Sequence, residues 1–469
     1  MAEPVPILKV AVVGHTNTGK TSLLRTLTRD GSFGKVSDSP GTTRHVEGSR
    51  LLAEGRPVLE LFDTPGMEDG IALLEYLERL QQPGERLDGP ARVQRFLDGP
   101  EAHGRFEQEA RVLRKLLDCD AALYVIDARD PVLGKHRDEL AILASCGRPL
   151  LPVLNFVGSP PHRADEWRAA MSRLALHAQV EFDTVAPALD GEQQLYSRLG
   201  MLLDRHRSTL TALMADLDRQ RAARRVAAGR LVADMLIDIA ALRLPVRTGE
   251  DERAALELLR GKARRREQQC VEALLALYRF RPEDYAAEPL PLADGRWGMD
   301  LFHPQALKDM GISLGKGMAA GAMAGATLDA FTAGLSLGTA TILGAAAGGL
   351  WQGADRLGQR MLGRIRGWRE LTVDDAVLRL LALRQQALVR ALERRGHAAR
   401  DPMRLPPPAD EPLRKGPLPD ALPEARSQPS WSTLSADYAD SPRREAVARA
   451  LAEQLSAEAP DAAAPPAAR

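Results

Sequence analysis

The chain has no excess of either charge: 63 Lys and Arg residues balance 63 Asp and Glu residues. No global field therefore draws it to nucleic acid or to an acidic surface, and any polyanion contact must be local. Cysteine is scarce. Cys119, Cys146 and Cys270 lie far apart and lack the paired spacing of a metal site, which excludes a disulfide framework and leaves them as small buried hydrophobes in a reducing compartment. A basic leader is missing too: the opening MAEPVPILKVAVVG runs straight into a strand pattern, so a cytoplasmic amino terminus is expected. At 469 residues the chain is too long for one hydrophobic core, and two or three folded units are expected.

Residues 7–200 alternate β-branched runs with helical stretches, the pattern of an α/β fold with a doubly wound sheet. Strands are expected at Leu8–Val13, Val58–Phe62, Ala121–Asp127, Leu150–Asn155 and Val180–Val185. An insert at 67–119, rich in helix formers, reads as a lid or docking surface within this 1–200 domain. Residues 201–300 read as an α-helical domain, with Leu210, Leu213, Leu217, Met235, Leu236, Ile239 and Leu242 at helical spacing. Residues 301–400 read as a glycine-rich helical hairpin followed by a charged amphipathic helix over 355–397. The Pro- and Ala-rich 401–469 is expected to be a mostly disordered tail, with one short helix at Arg443 to Leu455 whose Val447, Leu451 and Leu455 share a face.

Gly14-His15-Thr16-Asn17-Thr18-Gly19-Lys20-Thr21 follows an apolar strand and opens a helix, which Ser22 continues; it matches GxxxxGK[ST] in the context that phosphate binding requires. Its glycines let backbone N–H groups and a helix N-terminus face the phosphates, Lys20 meets the β/γ oxygens, and Thr21 can ligate Mg²⁺. Downstream, Asp63-Thr64-Pro65-Gly66 ends a strand: Asp63 can hold the metal through water and the Gly66 amide can sense a γ-phosphate. Between them Pro40-Gly41-Thr42-Thr43-Arg44 supplies hydroxyls for Mg²⁺ in a loop.

Together GHTNTGKTS, PGTTR, DTPG and LYVIDAR resemble the bacterial TrmE, Era and EngA-type GTPases, from the amino terminus to about residue 130. The whole chain looks like the members of that group that carry a C-terminal domain of unknown function. The resemblance implies a P-loop GTPase that binds GTP and GDP with Mg²⁺, with Lys20, Thr43 and Gly66 in the catalytic roles and Thr42 as the fallback for Thr43. It also implies K⁺ beside the phosphates at Asn17, a positive charge where the transition state accumulates negative charge. Met67 stands where Ras-type enzymes place a water-orienting glutamine; a thioether cannot orient water, so unaided hydrolysis is expected to be slow. The guanine motif departs from the family pattern. In Asn155-Phe156-Val157-Gly158 the asparagine is retained but glycine replaces the aspartate that accepts two N–H bonds from the base. Asp165 reads as a helix start and not as its replacement, and Thr184-Val185-Ala186-Pro187 occupies the place of the base-supporting loop.

Gly317, Gly321 and Gly325, then Gly334 and Gly338, then Gly344 and Gly348 form small-residue strips on a helix. Ala330 to Leu350 carries no charge, and its 21 residues at about 1.5 Å each would just cross a hydrocarbon core of about 30 Å. Asp329 would lie at the hairpin turn, and the basic residues on both flanks place both ends on the cytoplasmic side. The same pattern fits a buried hairpin in a soluble domain. The expected function is a GTP-hydrolysing switch, cytoplasmic or held at the inner face of the membrane, coupled to lipid, a protein partner or a second copy of the chain. The alternatives are a nucleotide-binding scaffold with negligible turnover and an NTPase of relaxed base specificity. An RNA-linked role ranks last: no RNA-binding GXXG loop stands in a helical context, the chain has no net basic charge, and the basic run Arg260 to Arg266 reads as a solvated helix face.

Overall fold

Strands covered on both faces need near-continuous apolar text, which β1 (Leu8–Val13), β4 (Ala121–Asp127) and β5 (Leu150–Asn155) supply. The structure is a computed structural model that describes residues 7–33, 47–80, 85, 87–158, 160–247, 252–285, 335–337, 368–403, 405, 413 and 416–457. It sets these strands at the centre of a six-stranded sheet of order β2-β3-β1-β4-β5-β6, completed by β2 (Glu47–Ala53), β3 (Arg56–Asp63) and β6 (Val180–Glu181). All neighbours are parallel except β2, which runs antiparallel to β3. The sequence reading missed β2. Its signal was Glu54-Gly55 between two apolar runs: both residues take positive φ (52° and 77°), as a tight hairpin turn requires. β6 is shorter than expected because Asp183 to Ala186 leave the sheet as a loop.

One face of the sheet buries Leu23, Leu24 and Leu27 of α1 (Lys20–Thr28) and Leu195, Tyr196 and Leu199 of α7 (Gly191–Leu202). The insert covers the other face. Its helices α2 (Gly70–Arg79), α3 (Gly89–Leu97) and α4 (Glu107–Leu117) bury Leu73, Leu77, Val93, Phe96 and Leu113 in one core with α5 (Gly134–Ala144) and α6 (Ala164–Arg173). The insert is thus integral to the domain core. Asp165 lies in the first turn of α6, paired with Arg168, as its reading as a helix start expects.

The chain divides into two compact units, Met1–Arg221 with Glu393–Asp401, and Ala222–Leu392 with Pro402–Arg469. The division falls inside one continuous helix, α8 (Arg207–Ala241), and not at residue 200. Leu210, Leu213 and Leu217 serve the first core; Met235, Leu236 and Ile239, with Leu242 just beyond the helix, serve the second. Domains expected separately at 201–300 and 301–400 share this second core.

The second unit is not all helical. Between α8, α9 (Glu252–Leu277) and α10 (Asp375–Glu393) stands an antiparallel sheet of order β7-β9-β8, formed by β7 (Arg243–Arg247), β9 (Trp368–Val373) and β8 (Leu335–Leu337). Two expectations are corrected here. Leu335–Leu337 pairs as a strand, so the uncharged run 330–350 is not one unbroken helix; the rest of the glycine-rich segment lies outside the described residues. The helix expected over 355–397 is not continuous, because Trp368–Val373 pairs as a strand and α10 begins at Asp375; residues 355–367 lie outside the described residues. Among the described residues no helix is long and apolar enough to cross a membrane.

The tail is also more ordered than its composition suggests over 416–457. Helices α11 (Ala421–Ser427) and α12 (Pro442–Ser456) bury Leu422, Ala425, Val447, Ala448 and Leu451 in the second core, and Trp431 between them joins it. The face shared by Val447, Leu451 and Leu455 packs on its own chain. A buried charge cluster fixes it: Asp238 accepts from Arg266 Nε (2.7 Å), Arg444 Nη2 (3.0 Å) and the Thr433 amide (3.1 Å), while Ser432 Oγ donates to the Asp238 carbonyl at 2.7 Å. Part of the basic run therefore faces inward, since Arg266 meets Asp238, Arg260 meets Glu257 and Lys262 donates to the Leu434 carbonyl. All three cysteines are buried, and burial pushes each thiol up to about 12, as inert small hydrophobes should behave.

Candidate nucleotide site

β1 ends against the C-terminal edge of the sheet, where open α/β folds bind ligands, and the loop that follows it closes over itself. Gly14 (φ 141°) lies so near β4 that a Cβ would meet the Val125 carbonyl at 2.5 Å, and Gly19 (φ 94°) leaves no room for a side chain beside Asn155. Asn17, exposed at the loop tip, is also left-handed (φ 65°). Lys20 is buried and donates from Nζ to the carbonyls of Gly14 (3.0 Å) and His15 (2.7 Å); Thr18 Oγ1 donates to His15 at 3.0 Å. Burial lowers the Lys20 ammonium to about 8, with the carboxylates of Asp63 and Glu139 opposing that shift. Ser22 is buried in the first turn of α1.

The predicted metal pair converges. Thr21 Oγ1 donates to Asp63 Oδ2, and Thr64 Oγ1 anchors the end of β3 on the Val12 carbonyl at 2.7 Å. A hydroxyl and a carboxylate at the mouth of a phosphate loop are the hard oxygen donors that Mg²⁺ prefers. Gly66 lies against Thr16, where a Cβ would stand 2.7 Å from the Thr16 Cα. Beside it the Thr16 hydroxyl is buried and finds no hydrogen-bond partner among the described residues, an orphaned donor where phosphate oxygens are expected. Thr42 and Thr43 lie outside the described residues.

Two expected residues act otherwise than by a side chain on the nucleotide. The His15 imidazole points to α5, with Nδ1 2.6 Å from Glu139 Oε1 and Nε2 2.9 Å from Lys135 Nζ, while Tyr124 donates to Glu139 at 3.0 Å. His15 therefore serves the loop through its backbone. Asn155 is wholly buried as a brace: its Nδ2 donates to the Thr18 carbonyl (3.0 Å), and its Oδ1 accepts from the amides of Phe156 (2.9 Å) and Thr184 (3.0 Å). Met67 is buried under the loop in a parallel bridge with His15, so its thioether faces the core.

At the base end, the Phe156 ring stands against Gly19 and carries the Arg129 guanidinium 4.0 Å from its centroid, with Arg129 held by Asp127. The sequence reading missed Asp183. Its Oδ2 accepts from the Gly158 amide (2.8 Å) and its Oδ1 from the amides of Val185 (2.9 Å) and Ala186 (3.1 Å), so a buried carboxylate reaches the neighbourhood of residue 158 from the end of the adjacent strand. Gly396, far along the chain, donates to the Val185 carbonyl at 2.8 Å, and Thr26 Oγ1 to the Thr184 carbonyl at 2.9 Å.

Residues 9–156 match the family described as 50S ribosome-binding GTPase. The tRNA modification GTPase MnmE of Synechococcus sp. (strain JA-2-3B'a(2-13)) is 34% identical over 137 residues, 29% of this chain and 25% of that protein. GTPase Der of Gloeobacter violaceus is 29% identical over 154 residues, 33% of this chain and 28% of that protein. MnmE of Hyphomonas neptunium is 28% identical over 265 residues, covering 54% and 45%. The chain thus spans a quarter to a little under half of the length of these relatives. Residues 168–453 match the model of a domain of unknown function, DUF3482, over more than half of the sequence: behind its GTPase domain, this chain belongs to the DUF3482 family.

Proposed function

We propose that this chain binds GTP and hydrolyses it to GDP and phosphate as a molecular switch, with its second unit coupled to a membrane or a protein partner. The observation that carries the reading is the convergence of Lys20, Thr21 and Asp63 at a loop whose glycine geometry admits phosphate. Lys20 neutralises the β/γ oxygens, the loop amides and the α1 N-terminus orient the chain of phosphates, and the Gly66 amide meets the γ-phosphate. Thr21 and Asp63, with Thr43, would hold Mg²⁺, which supplies charge neutralisation to the transferred group when bound. Asn17 is the ligand we assign to K⁺. With Met67 turned inward, no side chain directly after Gly66 orients water, so basal turnover is slow.

Lys20 gives this reading a pH signature. In the empty site its ammonium loses its proton near pH 8, whereas bound phosphates hold it protonated. Above about pH 8 binding must take up a proton, so the Kd for GTP is expected to rise by up to about tenfold per pH unit, and to be indifferent to this group below pH 8. Titration calorimetry in buffers of different ionisation enthalpy checks it; no proton uptake at pH 9 would remove Lys20 from the phosphates.

A second reading, relaxed base specificity, is favoured by Asp183: both of its oxygens accept from backbone amides, those of Gly158, Val185 and Ala186, so the carboxylate nearest residue 158 is already engaged by its own chain. Binding and turnover of GTP against ATP, in potassium and then in sodium, separates the two. GTP preference with K⁺-stimulated turnover supports the switch; equal use of ATP supports a base-tolerant NTPase. The membrane half of the proposal draws on the uncharged run and its basic flanks, and full-length protein that floats with anionic vesicles would support it.

A further inference from the structure

The insert begins directly after Gly66, and its last helix returns to that glycine. Gln108 Nε2 donates to the Gly66 carbonyl at 2.5 Å. The next residue, Glu109, is buried, and one of its oxygens accepts from the amides of both Glu68 and Asp69 at 3.1 Å. Arg105 adds a contact to Asp69 at 3.3 Å. On the opposite side Gly66 abuts Thr16 with its orphaned hydroxyl, and Met67 is bridged to His15. The segment that must present an amide to the γ-phosphate is therefore gripped from both sides, by the phosphate loop and by the first turn of α4. In a switch that is free to collapse, the peptide after this glycine rotates when the phosphate leaves. Here rotation must first break the bond to Gln108.

We infer that Gln108 is a positioning residue of the γ-phosphate sensor: it holds Gly66 in the orientation that meets the γ-phosphate, and it makes the insert the first element to register the loss of that phosphate. This rests on the GTP reading above. Gln108 is half-buried and touches no reacting atom. Its effect passes through Gly66, which is why it concerns only nucleotides that carry a third phosphate.

That selectivity defines the test. The full-length protein and the variants Gln108→Glu, which keeps the shape but loses the donor, and Gln108→Met, which loses it without adding charge, are titrated with GDP and with a non-hydrolysable GTP analogue. One lost hydrogen bond is worth up to about tenfold in affinity. Both variants are expected to weaken the triphosphate analogue about five- to tenfold, leave GDP affinity unchanged, and lower kcat/KM for GTP by a similar factor. Equal weakening of both nucleotides, or none of either, would overturn the inference and reduce Gln108 to a packing residue. If the unmodified protein binds neither nucleotide, it is the GTP reading that fails, and the two failures are told apart by that control.

Discussion

Lys20→Ala is expected to lower kcat/KM for GTP on the order of 100- to 1000-fold, because a preorganised positive group facing developing phosphate charge in a water-poor site is worth several kcal/mol. The structure sharpens this expectation. The ammonium is already desolvated and held by the carbonyls of Gly14 and His15, so the empty protein stores an unfavourable burial that bound phosphate relieves. Alanine removes the charge and that stored cost together. The loss should therefore exceed what an exposed surface lysine would give, and it should appear in nucleotide affinity as well as in turnover. The fold should survive, since Lys20 opens α1 and alanine is a strong helix former. Affinity within twofold of the unmodified protein would place the phosphates elsewhere.

Asp238→Ala should produce the largest loss of stability. It removes the carboxylate that Arg266 and Arg444 share, leaving Arg444 only Asp234 and the Trp431 carbonyl, and it removes the acceptor for the Thr433 amide. Breaking a buried ion cluster by deleting one partner costs about 3–5 kcal/mol, which for a unit of this size lowers Tm by roughly 10 °C. Melting followed by circular dichroism checks it, read on the transition that belongs to the second unit, because two units need not unfold together. A shift under about 2 °C would mean that apolar packing of Trp431, Val447 and Leu451 holds the tail without help from the charges.

What could be read from the sequence was what depends on consecutive residues. A loop that curls around phosphate needs Gly14 and Gly19 at strained φ and a lysine at a set distance, so the text itself carries it; the same holds for Asp63 and Gly66 at the end of a strand. The central strands were legible because burial on both faces leaves little choice of residue. Contacts across long separations were not legible. Nothing local in Gln108 or Glu109 announces that they close on Gly66 to Asp69 about forty positions earlier. Asp183 was hidden for the same reason: the sequence reading looked for a carboxylate at residue 158, whereas the structure brings one from a neighbouring strand end. Composition misled twice in the second unit. Proline and alanine around 401–469 concealed that α11 and the helix expected at Arg443 to Leu455 pack into the second core, and the charges of Trp368–Val373 concealed a strand paired on both edges.

The hydrogen bond from Gly396 to Val185 bears on where this protein can be cut. The compact unit that holds the phosphate loop comprises the first 221 residues together with Glu393–Asp401, and Gly396 belongs there by close fit, since any Cβ would collide with the Thr184 carbonyl oxygen. A gene fragment ending at residue 221 thus encodes an unfinished object, with one edge of its base loop stripped of the partner that the remainder of the gene provides. The GTPase domain of this chain is not a severable cassette: its boundaries in space and its boundaries in sequence do not coincide.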